Sequence, residues 1–426
     1  MSGKEEWQMG IYLNPGNEGF ATAVRSKIYV DKTKLIAYTN EVLGTEQKYI
    51  CVSRPRRFGK SMAANMLSAY YSRECDSRNL FSGLAIENDE SYKEHLNKHD
   101  VLVFNIQQFL SGAGDAGNLV AYIQKKVLEE LRQIYGQWIE TEEEQLSSAL
   151  MSIFAKDERS LKGFIIILDE WDCVFRETKD NQKAQKVYLD FLKDLFKDRT
   201  YVKLVYMTGI LPIKKYGTHS ALNIFDEFSM MDQGPLAEFA GFTEGEVKEL
   251  CTRYNRDFAE AQRWYDGYRF ADDIHVYNPK SIVDAMRNGK FKSYWTRTET
   301  YEALKVYMEM NFDGLKDAII AMLGGVKCRI NPWTFQNDMT SFESKDDVLA
   351  LLVHLGYLAY DEEQQAVFIP NTEIALEFKN AVEGSKGWEH LADTIRNSEE
   401  LLEATLNQDA EAFFRQAGAD CRVEMG

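Results

Sequence analysis

Two runs, well separated in the chain, have the residue types and spacing needed to grip a phosphorylated ligand. The first is Arg54-Pro55-Arg56-Arg57-Phe58-Gly59-Lys60-Ser61, preceded by the apolar YICVS and followed by the helical MAANMLSAYYS, which begins at Met62. A strand, a tight turn and a helix start aim free backbone N–H groups and the positive end of a helix dipole at one point. In that frame Gly59 lets the backbone approach a phosphate, Lys60 reaches the β/γ-phosphates and the Ser61 hydroxyl ligates Mg²⁺. Phe58 and Met62 flank the motif and are read with it as ligand-binding. Arg56 and Arg57 either add positive charge near the phosphates or pair with carboxylates of a neighbouring loop. The full GxxxxGK[ST] pattern wants glycine where this chain has Arg54.

The second run is FIIILDEWD, from Phe164 to Asp172. Five apolar residues lead straight into carboxylates, as in a buried strand that carries acids at its C-terminal end. Asp169 would hold Mg²⁺, and Glu170 would polarise a water attacking the γ-phosphate. Ligands of open α/β sheets lie at strand C-termini, where both residues fall. A further strand, VKLVYM, ends at Thr208, which either senses the γ-phosphate and orients water or merely ends the strand. His219 and His275 are isolated and read as structural.

These residues need a scaffold, and the chain from about 28 to 235 supplies one. Apolar runs at Tyr49–Ser53, Val101–Ile106, Phe164–Leu168 and Val202–Met207 alternate with amphipathic stretches at 60–72, 117–135, 141–156 and 182–197. That alternation predicts an α/β fold with a mostly parallel sheet covered on both faces. Residues 1–235 form the expected phosphate-binding core and 236–330 a helical, aromatic-rich region. Within 331–385, residues 345–380 read as a helix (the amphipathic DDVLALLVHLGYLAY, 346–360), a short strand (QQAVFIP) and a second helix (TEIALEFKNAV), and 386–426 as an acidic helical tail. Within 264–270, WYDGYRF, Asp266 and Arg269 read as a packing corner, with Arg269 reaching the ligand as the sharper alternative. The net charge of −17 argues against a general nucleic-acid or anionic-membrane coat. No apolar stretch is long enough to span a bilayer, the start does not look like a signal peptide, and the six cysteines are too far apart for a CxxC or zinc-knuckle motif, so a reducing cytoplasm fits best.

The runs YVDKTKLI (29–36), SRPRRFGKS (53–61), LDEWD (168–172), YMTGI (206–210), HSALNIFDEFSM (219–230), FTEGEVKEL (242–250), WYDGYRF (264–270) and VYNPKSI (276–282) resemble the bacterial AAA-ATPase-like family over roughly residues 10–385. In that family the RPRRFGKS motif replaces the first glycine of the loop, so Arg54 fits it. The resemblance implies a P-loop NTPase core of the additional-strand type, a helical lid and a winged-helix-like segment. It implies ATP and Mg²⁺ as ligands, with ATP preferred over GTP on resemblance alone. Hydrolysis that switches the lid or a partner is the leading expectation, and a nucleotide-binding regulatory module with negligible turnover is the alternative. A protein partner or a second copy of the chain is expected. Direct nucleic-acid binding is not, since residues 335–385 hold ten Asp/Glu against two Lys/Arg. Many family members end in a PD-(D/E)xK nuclease-like domain. The last forty or so residues show no such pattern, and the chain reads either as a short form of the family or as a piece that stops before that domain.

Overall fold

A computed structural model describes residues 10–156, 163–213, 222–270, 273–295, 300–310, 312–336, 339–384 and 388. The expected acidic tail and His219 lie outside these, apart from Trp388.

The apolar runs form a five-stranded parallel sheet: β1 (Tyr49–Ser53), β2 (Asp100–Asn105), β3 (Phe164–Asp169), β4 (Val202–Gly209) and β5 (Asp226–Phe228). Its order is β2-β3-β4-β1-β5, so β4 separates β3 from the strand that leads into the glycine loop. This is the additional-strand arrangement of a P-loop core. All five residues of β1 and all six of β3 are buried, because helices cover both faces and leave no polar side for alternation. Ile50, Val52, Ile165 and Ile167 face the helix Lys60–Tyr71, in a cluster with Ala63, Ala64, Met66 and Leu67. Cys51, Phe164, Ile166 and Leu168 face the helices Leu119–Tyr135 and Gln182–Phe196.

The region after the core is less helical than expected. A three-stranded antiparallel sheet is formed by β6 (Phe242–Thr243), β7 (Tyr268–Phe270) and β8 (Ile274–Tyr277), in the order β6-β8-β7. It packs with the helices Glu244–Tyr254, Phe258–Tyr265 and Pro279–Asn288 around Val247, Leu250, Ala261, Tyr265 and Ile282. A second small sheet joins β9 (Cys328–Arg329), β10 (Ala359–Asp361) and β11 (Ala366–Phe368) in the order β10-β11-β9. The run DDVLALLVHLGYLAY is therefore not one helix. The helix Lys345–Leu355 stops at Gly356, whose φ of 86° is left-handed, and the chain turns into β10. A Cβ on Gly356 would lie 2.8 Å from Cβ of Pro55, so this stop is also where the segment meets the glycine loop.

One buried carboxyl ties the second and third regions together. Glu373 is 2% exposed and accepts hydrogen bonds from Tyr294 N at 2.7 Å, Trp295 N at 3.2 Å and the Ser281 hydroxyl at 2.7 Å. Burial outweighs these bonds and pushes its pKa from 4.5 up to about 7. A carboxyl whose pKa rises on folding favours the fold most while it is protonated in both states. That contribution is lost as pH climbs from 4.5 towards about 7. Glu373→Gln should keep the shape and the bonds while removing the titration. Denaturation from pH 5 to 8 should show wild type losing stability relative to the variant, by up to about 3 kcal/mol. Parallel pH profiles would show that Glu373 does not carry this charge penalty.

Candidate phosphate-binding cleft

Between Ser53 and Lys60 the backbone makes two left-handed turns, at Arg57 (φ 70°) and at Gly59 (φ 87°). Nothing lies within 4 Å of where a Cβ on Gly59 would sit, so the turn faces open space. The helix that starts at Lys60 aims its first N–H groups at the same space. Lys60 is 6% exposed, and its ammonium donates to Arg54 O and Pro55 O, both at 2.9 Å. Burial pulls its pKa down, opposed by the charges of Glu170, Asp172 and Asp169.

Asp169 closes β3 beside Asn105 of β2, its register partner. The Thr208 hydroxyl donates to Asp169 Oδ1 at 2.5 Å, leaving Oδ2 for another ligand. Thr208 itself is fully buried and is not among the residues lining the cleft. Glu170 adopts a left-handed φ of 58°, which turns the chain sharply after the strand. Its carboxylate pairs with Arg176, whose Nε also donates to Asp172 at 3.0 Å. Asp172 in turn accepts from Ile210 N at 3.1 Å and Leu211 N at 2.9 Å, pinning the end of β4.

All of the expected ligand-binding residues from Arg56 to Met62 line one cleft of about 1070 Å³, together with Asp169 and Glu170. The lining carries eight Lys/Arg, namely Lys27, Lys32, Arg56, Arg57, Lys60, Arg176, Lys280 and Arg287, against two carboxylates. Concentrated positive charge in a chain of net −17 points to a polyanionic ligand. The lining also includes apolar side chains, among them Phe20, Ile28, Val30, Met66, Phe239 and Val283.

Arg54 is different. It is wholly buried, donates from Nη1 to Phe228 O at 2.9 Å and lies over the Phe270 ring at 5.3 Å. Burial lowers its pKa to about 10, still cationic at neutral pH. It therefore braces the loop from behind, where the usual glycine would have left space. Phe58 is also buried, stacking edge-on with Tyr268 at 5.6 Å.

Arg269 does not reach the cleft. It is exposed and pairs with Asp273 at 3.0 Å, and Asp266 pairs with His275 at 2.8 Å, so WYDGYRF is a packing corner. The cations that do reach the cleft from this region are Lys280 and Arg287, on the helix that Asn278 caps and Pro279 begins. The Asn-Pro pair was a readable helix start; nothing in the spacing told which of its side chains face the cleft. Lys27, Lys32, Asn105 and Arg176 likewise escaped sequence reasoning, because they converge only through the tertiary fold.

Residues 18–218 match the AAA-ATPase_like family model, described as Predicted AAA-ATPase. An uncharacterized protein in the vnfD 5' region of Azotobacter chroococcum mcd 1 is 25% identical over 283 residues, which is 64% of this chain and 51% of that protein. The chain thus spans about half the length of this curated relative. Among solved structures, a Walker-type ATPase of Pyrococcus abyssi is 13% identical with a TM-score of 0.39, covering 82% of this chain and 94% of that one. AMPPCP-bound DnaA from Aquifex aeolicus is 10% identical with a TM-score of 0.34, covering 88% and 96%.

The cleft's charge makes a direct forecast. Lys60→Ala removes an ammonium that meets the open loop, and hydrogen bonds to charged groups contribute about 1.5–3 kcal/mol. Affinity for a nucleoside triphosphate should fall roughly ten- to hundredfold by calorimetry. Arg269→Ala should leave it unchanged. Wild-type affinity in Lys60→Ala would remove the loop from the binding site.

Proposed function

We propose that this chain, placed in the AAA-ATPase-like family by residues 18–218, binds Mg²⁺-ATP in the cleft and hydrolyses it. The observation that carries the proposal is the convergence of Gly59, Lys60, Ser61, Asp169 and Glu170 on one cationic cleft at the C-terminal edge of the sheet. The triphosphate would run along the loop towards Lys60. The apolar part of the lining, with Ile28, Val30 and Met66, would suit a flat base. Ser61 and Asp169 present hydroxyl and carboxylate oxygens, a donor set that fits Mg²⁺. When bound, that ion would neutralise charge building on the phosphates. Thr208 would keep Asp169 aimed, and Glu170, which lines the cleft, would take a proton from an attacking water.

The Glu170–Arg176 pair favours a second reading, a nucleotide-binding module with negligible turnover. Here the base stays engaged by the guanidinium and the nucleotide serves only as a structural signal. In either reading Lys280 and Arg287 bring the region after the core against the ligand, so nucleotide occupancy would bias its position. That region and the 331–385 segment are proposed as a lid and a winged-helix-like module acting on a protein partner or a second copy. The net −8 of residues 335–385, from ten acids and two bases, disfavours a DNA grip.

Glu170→Gln separates the readings. Under the ATPase reading, Mg²⁺-ATP binding persists while phosphate release falls by about two orders of magnitude or more. Asp169→Asn should instead weaken the Mg²⁺-dependent part of binding. Turnover equal to wild type in Glu170→Gln would place the base elsewhere. No turnover in wild type, with binding intact, would leave the module reading standing.

A further inference from the structure

Outside the cleft, three side chains of the kinds that bind transition metals meet at one corner of the β6-β8-β7 unit. Glu244 opens the helix Glu244–Tyr254, Asp266 closes the helix Phe258–Tyr265, and His275 sits on β8. One potential ligand atom from each lies within 4.8 Å of the other two, the sole such group among the described residues. We propose that Glu244, Asp266 and His275 form a binding site for a divalent transition-metal ion, with zinc the best match.

Three features support a ligand here beyond the cluster itself. The first is Tyr277, two residues after His275 on the same strand and so on the same face. It is completely buried, and its hydroxyl lies beside the Asp266 carboxylate without forming a well-aligned hydrogen bond. Burial first, then the charges and contact of Asp266 and Glu244, hold the phenol neutral. A buried hydroxyl without a well-formed hydrogen bond costs free energy, and a metal-bound water would satisfy it. The second is the histidine's outer edge. Nδ1 faces Asp266 Oδ2 at 2.8 Å, while Nε2 lies 3.6 Å from Asp273 Oδ1. With a metal on Nδ1, the proton moves to Nε2, where Asp273 can accept it. That is the carboxylate–histidine–metal relay that orients metal-bound imidazoles. The third is the donor set. One imidazole and two carboxylates suit zinc or its first-row neighbours, whereas the imidazole disfavours magnesium and calcium.

The fit requires modest movement. Metal–ligand bonds of about 2.0–2.2 Å place neighbouring ligand atoms roughly 3.3 Å apart in a tetrahedron. Glu244 must approach, and the Nδ1–Asp266 contact must open slightly. Competing cations are near: Lys248 pairs with Glu244, and Arg269 donates from Nε to His275 Nε2 at 3.3 Å. Both side chains are themselves exposed and can swing away. The ligands come from three elements, so an ion would tie them together just before Asn278 caps the helix that carries Lys280 and Arg287 to the cleft.

The test uses the full chain, stripped of metal with EDTA and free of nucleotide, titrated with zinc chloride alone. Wild type should bind one equivalent through this site, and zinc should raise its melting temperature, because the ion binds the folded state. Glu244→Gln and His275→Gln should each lose that equivalent or weaken it by about tenfold or more, with the thermal shift lost in parallel. Melting temperatures in EDTA show whether each variant folds. Should His275→Gln melt early, Glu244→Gln, at the partly exposed helix start, decides the question. Cobalt(II) adds a check: its visible absorption should appear with wild type and weaken in both variants. No zinc bound by wild type, or wild-type stoichiometry and affinity in both variants, would overturn the proposal.

Discussion

A buried ammonium with no bound carboxylate is the constraint from which the site is built. Lys60 is nearly sealed from water and is held by two carbonyls of its own loop. Carbonyl oxygens satisfy its donors but do not neutralise its charge, and burying an unneutralised cation is costly. The carboxylates that offset the cost act from β3 and the turn after it, namely Glu170, Asp172 and Asp169. Each is itself engaged: Asp169 by Thr208, Glu170 by Arg176, and Asp172 by Arg176 and two backbone N–H groups. The outcome is a chain of charges that alternates in sign from the loop to the end of β4. An incoming polyphosphate supplies the one thing Lys60 lacks, a direct anionic partner.

The loop is also a junction, which explains its unusual sequence. Where a glycine would leave the backbone free, Arg54 drives its side chain into the interior against Phe228 and Phe270. Pro55 meets the Gly356 turn, and Phe58 packs on Tyr268 and accepts from Gly241 N at 3.0 Å. Tyr268 in turn donates its hydroxyl to Gly356 O at 2.6 Å. Three loop residues thus touch both regions that follow the core. A loop fastened this way cannot shift on ligand binding without moving β7 or the Gly356 turn. The arginine and proline read as ordinary loop residues in isolation, and their meaning lies in what they pack against.

This contrast marks what the sequence could convey. The core strands were legible because continuous apolar runs allow little else in a protein interior, and the observed strands differ from the expected ones by only a residue or two at their ends. The motifs at 54–61 and 164–172 were legible because the chemistry sits in contiguous residues with fixed spacing. β5 was not, since DEF carries no apolar run and becomes a strand only because β1 offers an open edge. β6, β7 and β8 were missed for the same reason: at two to four residues they are too short to show alternation. The helix expected across 346–360 hid a break that the left-handed Gly356 makes plain. Arg176 and Arg287 reach the cleft from positions that no spacing rule connects to Lys60.

Arg176 shows how far geometry can take the functional argument. Its side chain is 8% exposed, touches both Glu170 and Asp172, and still forms part of the cleft wall. A guanidinium has five donors in a fixed plane, and the two carboxylates here do not exhaust them. A terminal phosphate would compete with Glu170 for the same cation, and drawing Arg176 towards it would loosen the glutamate's only ion pair among the described residues. The pair thus ties the acidic turn after β3 to the cleft wall through two side chains six residues apart, one in the turn and one in the helix that follows it.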